Sequence, residues 1–180
     1  MNVLRVLLVV LLFPTLAFAR VQNTPKAQNG AQPTGFRAEY IANLDDVEKK
    51  LVSLAEATPA EKFTWRPSKD VRSISEVYTH IAGSNYFLAS FLGVEAPQIE
   101  GDLEKTVTKK ADVIAELKRS FAHLRKASAT VRDLDAPVKM FGNQTTCRGV
   151  LVTVVSHLHE HLGQSIAYAR MNGVVPPWSH

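Results

Sequence analysis

The chain has 180 residues, 46% hydrophobic, 8% aromatic and 21% charged, with 9 glycines, 9 prolines and a single cysteine, Cys147. That length suits one domain with at most an appendage, and the apolar and charged fractions exclude a wholly disordered or collagen-like chain. One cysteine excludes a disulfide within the chain and a four-cysteine zinc knuckle, so any metal must be held mainly by other ligands, with the six histidines as first candidates. Lys and Arg number 21 against 17 Asp and Glu, a net charge of +4. The excess is scattered as single residues or short pairs such as Lys49-Lys50 and Lys109-Lys110, which gives no basic stripe and no expected nucleic-acid partner.

The first nineteen residues read as an export signal. Met1 to Arg5 form a short positive start, Val6 to Leu12 is an unbroken apolar run, Pro14 interrupts it, and Ala17-Phe18-Ala19 supplies the small-residue cleavage pattern. A membrane span needs about 20 apolar residues, and the uncharged stretch from Val6 is cut short by Arg20. The expectation is a cleavable signal peptide over 1–19, with Ala17 and Ala19 at the cleavage site. No cysteine follows to accept a lipid. The mature protein is expected to be periplasmic or secreted, with no stable membrane anchor after cleavage. Residues 20–35, rich in Gln, Asn, Pro, Gly and Ala, read as a disordered leader, because almost no large apolar side chain offsets its ordering entropy. Residues 36–178 are left to form the folded domain.

Four amphipathic helices are predicted there. From Phe36 to Ala57, Tyr40, Ile41, Leu44, Val47, Leu51 and Leu54 recur at three- and four-residue intervals along one face. Thr58-Pro59 reads as an N-cap followed by proline at the first position of a short turn ending before Pro67. Ser73-x-x-Glu76 is a capping box opening a second helix, Ser73 to Leu92, with Gly93 as its stop. A third helix runs from Thr108 to Leu134, and Val138 to Thr145 reads as an extended or turning connector. Thr146 caps the fourth, Arg148 to Asn172, which stops at Gly173. Without a convincing strand pattern, the fold class is all-α, an up-down four-helix bundle.

The chemistry concentrates in the fourth helix. His157 and His161 are one turn apart, about 40° around the axis, so their rings can converge, whereas His159 points away. Along the same face run Val150, Val154, His157, His161, Gln164 and Tyr168. Two imidazoles thus stand where a bundle core takes Leu or Val, and burying them unpartnered would cost about 2–7 kcal/mol each. Two readings satisfy them: a polar pair near the open end of the bundle, or a divalent cation held by neutral imidazoles. A third ligand decides between these. His80, at the edge of the apolar face of the second helix, can lean towards the pair, although a packed or surface role suits a lone histidine as well. His123 and His180 are not expected to be ligands.

Taken together, these residues resemble the DinB/YfiT-like family of metal-dependent four-helix bundles. The resemblance spans roughly Phe36 to Trp178. It is carried by Phe63-Thr64-Trp65-Arg66-Pro67, Val71-Arg72-Ser73-Ile74, Thr79-His80-Ile81-Ala82, Asn85-Tyr86 and His157-x-x-x-His161-x-Gly163-Gln164, followed by Tyr168-Ala169-Arg170 and Gly173. It implies a metal triad of one histidine from the second helix and two from the last, here His80, His157 and His161. Many members have His-His-Arg-Gly-Gln around the final ligand, where this chain has Glu160-His161-Leu162-Gly163-Gln164. The ligand is kept and its neighbours differ.

Three histidines leave a coordination position open, as in catalytic sites, and such an ion lowers the pKa of bound water towards about 7 or holds a thiol as thiolate. Three imidazoles plus water suit zinc, nickel or iron. Glu76, one turn before His80, and Gln164 are candidates to touch the ligands from outside. Glu76 is already employed by the capping box, and packing equally suits Gln164. Cys147 reads as a packed residue, though helix N-termini depress thiol pKa values. Trp65 and Trp178 read as core or lid residues. The resemblance implies chemistry of the kind run by thiol-dependent transferases and isomerases, and the expected activity is a thiol-dependent transferase or a hydrolase, whose partners would be a small-molecule substrate such as a low-molecular-weight thiol. The alternative is a non-catalytic bundle that binds a metal or small ligand. A homodimer is compatible with either.

Overall fold

The computed structural model describes residues 35–179. The expected signal peptide and all but the last residue of the leader lie outside them, as does His180. The described chain is mostly helical: α1 (Phe36–Ala57), a 3₁₀ turn (Ala60–Lys62), α2 (Ile74–Ser90), α3 (Leu103–Thr106), α4 (Lys110–Thr130), β1 (Pro137–Met140), β2 (Asn143–Thr146) and α5 (Cys147–Met171). Among the described residues, no helix is long and apolar enough to cross a membrane.

The long helices pack α2 on α4, α1 on α5, α2 on α5 and α1 on α4. Their interior is the predicted apolar face: Leu44, Val47 and Leu51 of α1, Ile81 of α2, Phe121 of α4 and Leu158 of α5 are fully buried. Contacts at the two ends set the directions. Arg37 at the start of α1 donates to the carbonyl oxygens of Ser128 (2.9 Å) and Val131 at the end of α4, while Lys110 at the start of α4 donates to the carbonyls of Glu56 and Thr58 (both 2.7 Å). Helices α1 and α4 are therefore antiparallel. Arg148 lies over the Phe36 ring (4.9 Å), which pairs the starts of α1 and α5, and Thr58 shares a small cavity with Tyr168 at their other ends, so these two run parallel. The same cavity brings Ile74 to Ala169 and sets α2 antiparallel to α5. Helices α2 and α4 must then be parallel.

This corrects the expected up-down bundle, since the order along the chain is up, down, down, up. Parallel neighbours need a connection that travels back along the bundle, and Phe91–Lys109 is that connection. It carries the one-turn helix α3, which sequence periodicity could not register because a single turn has no period; Asp102, whose carboxylate accepts from the Glu104 amide (3.0 Å), was the available N-cap signal.

Three local points are sharpened or changed. The connector before α5 is extended and turning as expected, and its two arms pair as an antiparallel hairpin with Met140 opposite Asn143, a strand pairing the sequence pattern did not show. Its two-residue turn is Phe141-Gly142, both at positive φ (52° and 83°). Such turns favour Asn-Gly, so a phenylalanine at the first position conceals the hairpin from sequence. Thr58 closes α1, donating its hydroxyl to the Leu54 carbonyl (2.8 Å), and does not cap the next turn. Helix α4 stops at Thr130, short of Leu134, where Arg37 takes over terminal carbonyls.

Helix α2 starts where predicted, with both halves of the capping box formed: the Glu76 amide donates to Ser73 Oγ (3.3 Å) and the Ser73 amide to Glu76 Oε2 (2.7 Å). This box fixes the phase of the helix that carries His80. A Ser73→Ala substitution is expected to lower unfolding free energy by about 1 kcal/mol, measured by urea denaturation of the metal-free protein.

Candidate metal centre

His80 sits in the second turn of α2, and His157 and His161 sit on adjacent turns of α5, where the two helices face each other antiparallel. The structure brings all three together: their ligand-capable nitrogens lie within 4.8 Å of one another. Ring centroids are 5.3 Å apart for His80 and His157, 4.8 Å for His80 and His161, and 4.4 Å for His157 and His161. His161 is buried and the other two are half-buried. The deepest positions of α5 belong to Val154 and Leu158, so the imidazoles line the edge of the core and not its centre.

Two of the rings are anchored through their outer nitrogens. His80 Nδ1 lies 3.0 Å from Glu104 Oε1, and the other oxygen of Glu104 accepts from Arg72 Nε (2.8 Å). His161 Nδ1 lies 2.8 Å from Gln164 Oε1, and the Gln164 amide donates to the Tyr168 hydroxyl (3.1 Å). Trp65 packs edge-on against Tyr168 (5.5 Å between centroids) and supports this arm. A carboxylate and an amide oxygen can only accept, so both rings carry a proton on Nδ1 and turn Nε2 inwards. His157 differs. Its Nδ1 is buried without a hydrogen-bond partner among the described residues, and its Nε2 stands 3.3 Å from His80 Nε2.

The donor set fits a divalent ion. Two nitrogens each about 2.0–2.1 Å from a tetrahedral zinc ion stand about 3.3–3.4 Å apart, which matches the His157–His80 separation. One proton between His157 and His80 satisfies that pair of inner nitrogens, and the inner nitrogen of His161 is left to water or an ion. Burial, then the neighbouring imidazoles and Arg72, pushes His157 down to about 4. Burial, then Arg72, also lowers His80, against the pull of Glu104. Both are therefore neutral near pH 7, the form in which imidazole ligates.

The outside contacts are split between expectation and correction. Gln164 touches His161. Glu76 does not reach His80; it completes the capping box and pairs with Arg66 (2.6 Å). Glu104 takes the place next to His80. It could not be paired with His80 from spacing, because 24 residues and the crossover separate them. Cys147 is half-buried at the start of α5, ten residues and so about 15 Å of helix from His157. His123 on α4 packs against Tyr86 (5.1 Å) and His159 is exposed, both outside the cluster. Trp178 packs against the core.

A helical bundle with a three-histidine cluster between two antiparallel helices is thus the class of protein that fold and site define. Residues 43–165 match the sequence profile of the DinB superfamily, and the chain belongs to that superfamily, whose members are generally metal-associated. Solved structures agree in fold. A DinB-like protein from Bacillus cereus is similar with a TM-score of 0.67 at 16% identity, over 78% of this chain and 95% of its own. A DinB-like protein from Bacillus subtilis gives 0.59 at 21% identity, over 76% and 93%. A conserved protein from Enterococcus faecalis gives 0.62 at 13%, over 77% and 98%. No curated protein matches the chain.

Removing the charge that orients His80 is expected to weaken metal binding. Glu104→Gln should raise the zinc dissociation constant about tenfold in competition with a chromophoric chelator, whereas Glu76→Gln should leave it within about twofold. The pH dependence follows from His157. Its ordinary value of about 6.5 falls to about 4 on folding, so the unfolded chain binds the extra proton. The metal-free protein should lose stability as pH falls from about 6.5 towards about 4, and thermal melts of His157→Gln should show a shallower decline across that window.

Proposed function

We propose that this chain is an exported, divalent-metal-binding member of the DinB superfamily that acts as an enzyme of the thiol-dependent transferase or hydrolase type. The observation that carries this reading is the convergence of His80, His157 and His161 with two of the three rings locked from outside by Glu104 and Gln164. Three protein ligands leave a position open, the arrangement of catalytic rather than closed structural sites. Zinc, nickel and iron all suit three imidazoles. An ion held there supplies Lewis acidity towards an oxygen or sulfur ligand in that position.

The remaining chemistry belongs to the protein. Glu104 and Gln164 accept the Nδ1 protons of His80 and His161 and so fix which nitrogen each ring presents. Arg72 neutralises Glu104, which keeps the carboxylate from drawing a second proton onto His80. A cavity of about 600 Å³ lined by Arg66, Lys69, Arg72, Glu104, Lys105 and Gln164 opens beside these supports and offers room for a polar substrate such as a low-molecular-weight thiol. Export is supported by the apolar run and small-residue pattern of residues 1–19, and a periplasmic or secreted location follows from it. A homodimer is compatible with this reading.

The common premise is tested by metal analysis of protein purified from its native compartment, beside a His157→Ala/His161→Ala double variant. The expected result is near-stoichiometric metal in the first and little in the second; equal content in both would sink the reading. Mass spectrometry of mixtures of metal-loaded protein, small thiols and electrophiles should then reveal product that disappears with chelator. A metal-binding protein that forms none is the non-catalytic alternative.

A further inference from the structure

A second cavity, of about 330 Å³, lies on the other side of Glu104, between α2 and the crossover that carries α3. Phe87, Ile99 and Leu103 beside Gly83 form its apolar part, Thr79 and Ser84 also line it, and His80 and Glu104 are shared with the histidine cluster. That volume is at the small end of ligand pockets.

Two features show that this cavity is maintained. The first is Gly83, in the middle of α2, where alanine is the better helix former. A Cβ added there would meet only Leu103 Cδ1, at an ordinary 3.9 Å, and the residue has no positive φ. Neither packing nor backbone conformation requires glycine, so its effect is to leave the floor of the cavity open. The second is Phe87, 51% exposed yet held in place by Phe91 (5.1 Å) and Phe141 (6.0 Å). Phe141, itself 62% exposed, is the hairpin residue at φ 52°, a conformation disfavoured for a bulky side chain. A strained turn thus helps to fix an exposed aromatic wall, and such strain concentrates at functional sites.

The two carboxylates at the cavity are both paired, Asp102 with Lys105 (3.1 Å) and Glu104 with Arg72 (2.8 Å), so the apolar side chains and not a free charge set what it accepts. We infer that this cavity binds the uncharged apolar portion of a small organic substrate, with an aromatic or branched aliphatic group against Phe87 and Ile99. This rests on the metal-site reading for the substrate's relevance, but the binding itself does not require the ion.

The test titrates the neutral probe 2-phenylethanol into methyl-labelled protein with and without zinc. It is expected to shift the methyl resonances of Ile99 and Leu103 saturably in both forms. Gly83→Leu should abolish these shifts. Gly83→Ala should keep the fold and raise the melting temperature by about 2–4 °C while weakening binding, which separates a filled cavity from a misfolded chain. Undiminished binding to Gly83→Leu with native circular dichroism, or no response at Ile99 and Leu103, would each overturn the inference. Probe binding in a protein that takes up no zinc would instead defeat the metal-site reading and leave this one standing.

Discussion

Three imidazoles facing one another between α2 and α5 are the constraint around which this molecule is arranged. Each is half-buried or buried, each has two nitrogens, and a buried ring nitrogen without a partner costs about as much as a lost hydrogen bond. The protein satisfies the outer nitrogens of His80 and His161 with Glu104 and Gln164, which leaves the inner ones pointing at a common place. Burial and the positive charge of Arg72 keep His80 and His157 unprotonated. With those two rings neutral and the inner nitrogens of all three converging, the cluster is a donor set that suits a divalent ion.

The bundle topology serves this arrangement. Because α2 and α4 are parallel, the chain after α2 has to return along the bundle, and the return path lays α3 beside the second turn of α2. Glu104 reaches His80 for that reason. The same path forms the outer wall of both cavities beside the site, so Glu104 stands between a polar chamber and an apolar one. A simple up-down connection would supply neither the carboxylate nor the walls.

The hairpin before α5 has a related part. It connects α4 to α5, which are diagonal to each other, and its turn places Phe141 against Phe87 and Phe91 at the far end of α2. The strained φ at Phe141 is held by those ring contacts and by the pairing of β1 with β2. The apolar cavity and the hairpin are thus joined through Phe87.

The four long helices, the capping box at Ser73 and Glu76 and the one-turn spacing of His157 and His161 were determined by sequence alone, because hydrophobic period, caps and i,i+4 geometry are properties of neighbouring residues. The third histidine, His80, was placed by the pattern only at the edge of the apolar face of α2, where a packed or surface role suited it as well; the family resemblance assigned it to the triad, and the helix packing brings it there. The up-down-down-up order, the hairpin with phenylalanine at positive φ and the pairing of Glu104 with His80 in place of Glu76 were decided only by tertiary structure. Helix directions depend on which faces meet, and Glu76, one turn from His80, is drawn away by Arg66 and the Ser73 amide, whereas Glu104 is brought in from 24 residues away by a crossover whose course no local pattern encodes.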